Sequence, residues 1–232
     1  MSVKNILLFF ILIFSVPTAV TQAFDSAATS DRAIEAYASG RYSTASQLFE
    51  LEDSVTPLSD GGLFLLANSY LHTDRPEMAL ATLQRLVSPE SIQVDYLSVK
   101  GQAYIALGMM NEAADCLESS LSKFEHTDET YLNLEGLLCF CLNEAGRHQE
   151  SAEEAMLTLS EYGIKQGLSP DETPAALFTT FPGKNKWIDF LTVEFLKASY
   201  ATGKMTSEQT ATLLQQLSEK GNHTATRLLS NF

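Results

Sequence analysis

Residues 97–124 read LSVKGQAYIALGMMNEAADCLESSLSKF, and this stretch decides the fold. Leu97, Tyr104 and Leu107 fall on one stripe of a helix, and Ala113, Leu117, Leu121 and Phe124 on the stripe of a second. Gly108 stands between them, where a left-handed residue after a helix costs glycine little. Two short helices around a tight turn bury too little surface to stand alone, so such a hairpin needs neighbours.

The neighbours are legible 34 residues upstream and 34 further still. Ala33, Ala67 and Gly101 form one column, Gly40, Asp74 and Gly108 a second, Ala45, Ala79 and Ala113 a third, and Phe49, Leu83 and Leu117 a fourth. Tyr70 recurs as Tyr104. Downstream the columns resume after a four-residue insertion, with Cys139, Gly146, Ser151 and Ala155 in the same order. The extra residues fall near Phe124 to Thr130, which lets the second helix of the third unit run long. In the second unit Asp74-Arg75-Pro76-Glu77 turns the chain by other means. Asp74 is read as a cap, Pro76 suits an early helical position, and Glu77 completes a capping box. The small columns mark close approach of two axes within a hairpin, and the bulky column fills space against the next hairpin.

These residues resemble the tetratricopeptide repeat family, whose period is about 34 residues in two antiparallel helices. The stretches Leu66-Ala67…Tyr70 and Gly101…Tyr104…Gly108…Ala113 carry the resemblance, which covers Ser26 to about Gly163. No unit has the family tryptophan, and the first unit has Arg32 and Ala36 where the pattern has a large apolar and an aromatic residue. The resemblance implies an all-α, right-handed solenoid of antiparallel helix pairs. Its expected layout is a signal peptide at 1–23, four repeats at about 26–59, 60–93, 94–131 and 132–165, and a helical capping extension at 166–232 holding a degenerate fifth repeat.

The opening residues carry a targeting pattern. Lys4 precedes an apolar run from Ile6 to Val16, Pro17 breaks it, and Thr21-Gln22-Ala23 offers small residues to a signal peptidase, with Phe24 following. The run is shorter than the roughly 20 residues that span a bilayer. The expectation is export to the periplasm or beyond, with no stable membrane span after cleavage near Ala23. The chain carries 29 acidic against 15 basic residues, a net charge of −14, and cleavage would remove Lys4 as well. Such a surface repels phosphate backbones, which excludes nucleic acid as a partner. Three cysteines, Cys116, Cys139 and Cys141, are too few for a disulfide framework in a chain of 232 residues. Cys139 sits in the small-residue column, where packing explains it, and its pairing or that of Cys141 with Cys116 stays open.

Beyond the repeats, Gly163 to Ser169 reads as a loop and Ser169-Pro170-Asp171-Glu172 as a helix start, with a break at Phe181 to Asn185. A helix follows from Trp187 to Ala201, then one opened by Thr206 with Gln209, then a terminal helix from His223. No metal, nucleotide or thiol-redox motif is present, and His72, His126, His148 and His223 lack ligand spacing. These readings give no enzyme, no cofactor and no metal.

Carrying the family's inner groove over position by position gives a protein-binding face of Phe64, Asn68, Leu71 and His72, then Ser98, Gln102 and Ile105, then Phe140, Asn143 and Glu144. Phe64, Ile105 and Phe140 are read equally well as core, or as covered by the extension. Family members that hold a peptide carboxylate use Lys, Arg and Asn on this face; here only Asn68 fits that set, with no basic residue beside it. The implied function is a protein-interaction scaffold or adaptor in the bacterial cell envelope that binds a partner peptide or helix. The alternative is an accessory or regulatory subunit of a periplasmic enzyme or of a secretion or pilus assembly complex.

Overall fold

The computed structural model describes residues 31–89, 96–122, 129–169 and 185–231. The signal-peptide reading, the helix start at Pro170 to Glu172, the break at Phe181 to Lys184 and most of the insertion near Phe124 lie outside those residues. Among the described residues there are eleven α-helices, one closing 3-10 turn and no strand. The chain divides into two compact units, Met1–Cys116 and Leu117–Phe232.

The first unit holds α1 (Asp31–Ala38), α2 (Tyr42–Asp53), α3 (Asp60–His72), α4 (Pro76–Leu83) and α5 (Tyr96–Leu107), and α6 (Met110–Leu121) starts within it. Each hairpin turn closes in the same way. The N–H of Gly40 donates to the carbonyl of Tyr37 and that of Arg41 to the carbonyl of Ala36; Asp74 and Arg75, then Gly108 and Met109, repeat both bonds one period on. This pair of bonds satisfies the last free carbonyls of a helix and requires a left-handed residue. Gly108 supplies it at φ +77, whereas Asp74 is a non-glycine residue held at φ +58. Asp74 is therefore the left-handed residue of its turn, not the cap of α4. The N-cap is Arg75, which makes no side-chain cap bond, with Pro76 just inside the helix.

The small and bulky columns are buried as their spacing implies. Ala33, Ala45, Ala67, Ala79, Ala113, Phe49 and Leu117 are fully enclosed. Burying a side chain the size of Phe49 or Leu117 contributes about 1.5–3 kcal/mol. Polar links brace the unit around this core. The Arg75 guanidinium lies 4.5 Å from the centre of the Tyr70 ring and donates to Ser46 Oγ at 2.7 Å, tying α2 to the turn before α4. Arg85 donates both terminal nitrogens to Asp53 at 2.7 Å each, the bidentate geometry that holds Asp53 below the usual carboxylate range.

The second unit holds the end of α6, then α7 (Glu129–Glu144), α8 (His148–Lys165), α9 (Lys186–Ala201), α10 (Ser207–Glu219) and α11 (His223–Leu228). α6 ends at Leu121 and does not run long; it is α7, with 16 residues, that outgrows the first helices of earlier hairpins. Cys139 and Ser151 mark the close approach of α7 and α8, where Ser151 Oγ donates to the Cys139 carbonyl at 3.0 Å. α8 continues to Lys165, two residues past the expected stop at Gly163, and Gly167 takes the left-handed position instead.

α9 starts at an Asn185 cap that accepts from the N–H groups of Trp187 and Ile188. Thr206 and Gln209 form the capping box read from the sequence at the start of α10. The terminal helix is one and a half turns long and passes into the 3-10 turn Leu229–Asn231.

Candidate protein-binding surfaces

In the first unit the residues expected to line a groove are interior. Phe64, Asn68 and Leu71 on α3, and Ser98, Gln102 and Ile105 on α5, are all buried. His72 is half-buried, its ring stacked 3.7 Å above that of Tyr42, and burial pushes its pKa down to about 4. The reason is visible in α3, where every residue from Gly61 to Leu71 is buried. A helix enclosed on all sides has no open stripe for periodicity to find. α5 reverses the expectation: its assigned core stripe of Leu97, Tyr104 and Leu107 is only half-buried, while Ser98, Gln102 and Ile105 are enclosed.

In the second unit the expected groove residues of α7 meet the extension. Asn143 Nδ2 donates to the Glu194 carbonyl at 3.0 Å and to Glu194 Oε2 at 2.9 Å, and Asn143 Oδ1 lies 3.1 Å from His148 Nδ1. Lys197 Nζ sits 5.6 Å from the centre of the Phe140 ring, 2.9 Å from Glu194 and 3.5 Å from the exposed Glu144. The Glu194 carboxylate is buried yet paired, which is the condition for burying a charge at tolerable cost. α9 thus occupies the face of α7 that a partner was expected to take. Trp187, from the aromatic stretch of the extension, is buried as well and donates its indole N–H to Glu129 at 3.1 Å.

Ionisable groups enclosed by the hairpins serve packing. Glu135 on α7 is 1% exposed, and burial reinforced by the nearby Glu154 charge raises its pKa to about 7. The Cys139 thiol, 3.7 Å from Glu135, is pushed well up by burial, so it stays protonated and unreactive. All three cysteines are buried thiols outside any disulfide. Among the described residues no group of three or more His, Cys, Asp or Glu could hold a metal ion, and no helix is long and apolar enough to cross a membrane.

The open surface lies elsewhere. A cavity of about 550 Å³ opens between α8 and α9, lined by Met156, Leu157, Phe195, Ser199, Lys204 and Met205, with Ala152, Glu153 and Ser160 completing the wall. The turn after α9 creates the room. It spans residues 202–206, against two or three residues in the earlier hairpins, and carries Lys204 and Met205 to the cavity edge. Leu157 is 53% exposed and Ile164, two turns on, 48%. Periodicity did not select this site, although Leu157 and Ile164 interrupting an acidic helix were a usable signal.

No family model matches this chain, and no curated protein matches it. Solved structures do. It is similar to a Podosopora anserina putative kinesin light chain with nearly identical TPR-like repeats, at TM-score 0.58 and 19% identity over 84% of this chain and 93% of that one. A second crystal structure of that repeat protein, of a methionine-for-glutamine variant, gives TM-score 0.60 and 17% identity with the same coverage. The fold is therefore an all-α, TPR-like array of antiparallel helix pairs.

Proposed function

We propose that this chain is an exported protein-binding scaffold of the bacterial cell envelope, and that it acts by presenting helical hairpins to a partner. The observation that carries the reading is the TPR-like array itself. Stacked helical hairpins of this kind offer extended surfaces for other proteins. Of the buried polar groups described above, Asn143 with Glu194 fastens α7 to α9 and the Cys139 thiol reaches the Ser151 carbonyl of α8, while Glu135 bonds within α7. The leader pattern ending at Ala23 supports export, and the net charge of −14 favours a neutral or basic partner.

The test is crosslinking in intact bacteria expressing the full chain, with a photoreactive residue at position 157 or, in the first unit, at position 55. The reading expects protein from the envelope fraction to begin at Phe24 and to give a discrete adduct with one partner. Protein retained in the cytoplasm with its first 23 residues would overturn the envelope assignment. Absence of any adduct from exposed positions in either unit would overturn the scaffold reading.

A further inference from the structure

The cavity between α8 and α9 is open to solvent and combines two features. Its wall is apolar on both sides, with Met156 and Leu157 facing Phe195 and Met205. At its lining stands Ser199, a residue 1% exposed whose hydroxyl has no hydrogen-bond partner among the described residues. A buried hydroxyl without a partner carries a desolvation cost that a bound acceptor would remove. The volume lies within the range of about 300–1,000 Å³ that ligand pockets occupy.

We propose that this cavity docks a cationic amphipathic helix of a partner protein, with one apolar side chain inserted and an acceptor placed on Ser199 Oγ. The inference rests on the scaffold reading above and assigns the surface that serves it. Charge selects the occupant. Glu153, Glu154 and Glu161 project from α8, whose Glu150 is paired with Arg147 at the helix start, against Lys165 on the same helix and Lys204 at the cavity rim. A basic segment is drawn to that face, whereas a second copy of a chain with net charge −14 is repelled. Spacing selects the helix. Leu157 and Ile164 are seven residues apart, about 10 Å along α8, which matches apolar residues two turns apart on a partner helix lying alongside.

The test uses the full chain with labelled methionine methyl groups and a synthetic 18-residue probe of Lys, Leu and Gln, its leucines at helical spacing. Its control is the same peptide with Glu for Lys. Met156 and Met205 line the cavity, while Met78 is exposed on α4 in the other unit. The basic peptide should shift the Met156 and Met205 signals saturably without moving Met78, and the acidic peptide should bind at least about tenfold more weakly. Leu157→Asn should weaken the basic peptide about tenfold or more, and the control Leu51→Asn should leave it unchanged. Ser199→Ala separates docking from structure, because it should keep or raise the melting temperature while weakening the peptide by about threefold to tenfold.

Equal binding of the two peptides, parent-like affinity in Leu157→Asn, or unmoved Met156 and Met205 signals would each overturn the docking site. The last result, found together with a cellular adduct elsewhere on the chain, would leave the scaffold reading standing.

Discussion

A single glycine shows how tightly the second unit is assembled. A Cβ added at Gly136 on α7 would stand 2.6 Å from Cδ1 of Phe190 on α9, closer than real contacts allow. Gly136→Leu should therefore cost about 1–3 kcal/mol through overpacking, outweighing the better helix propensity of leucine. Phe190→Ala should recover part of that loss in the double variant, and a thermal-melt cycle in which the two effects simply add would contradict the contact. Glu135 makes the matching argument for charge. Its folded pKa of about 7 lies above its ordinary value, so the neutral form is the one that fits. The stability it contributes is complete below about pH 4.5 and is lost as the pH rises through 7. Glu135→Gln should be more stable than the parent at pH 8, by up to about 3 kcal/mol, with the difference vanishing near pH 4. A constant difference across that range, followed by denaturant unfolding, would show that Glu135 does not titrate as described.

At the scale of the element, the turns carry the repeat. Gly108 holds φ +77 with open space around it, so Gly108→Ala tests backbone strain alone and should cost about 1 kcal/mol or more in a chemical unfolding curve. The glycine turns and the capping box at Thr206 were legible because each follows from chemistry within a few residues along the chain, and the columns of small residues because they recur at 34 residues. The left-handed Asp74 was misread as a cap, since aspartate serves both roles and only the period of 34 residues pointed to the glycine-like one. The faces of α3 and α5 were misread for a different reason. Their apolar residues surround the helix, and no local pattern says which side a neighbour will cover. The extension over Phe140 and Asn143 involves contacts about 50 residues apart in the chain, such as Asn143 with Glu194, which no spacing rule reaches.

Across the whole molecule the first helices serve construction, and recognition is expected at the α8–α9 surface proposed above. In the first unit His72 stacks on Tyr42 and Arg75 braces α2, while in the second unit Lys197 and Glu194 fasten α9 to α7. In the second unit Leu157 and Ile164 stay exposed beside the cavity edged by Lys204 and Met205. Amide hydrogen exchange of the full chain, alone and with its crosslinked partner identified and added back, tests this division most directly. New protection is expected at residues 150–164 and 199–205, with α3 and α5 exchanging as in the free chain. Protection confined to α3 and α5, with residues 150–164 unchanged, would contradict it.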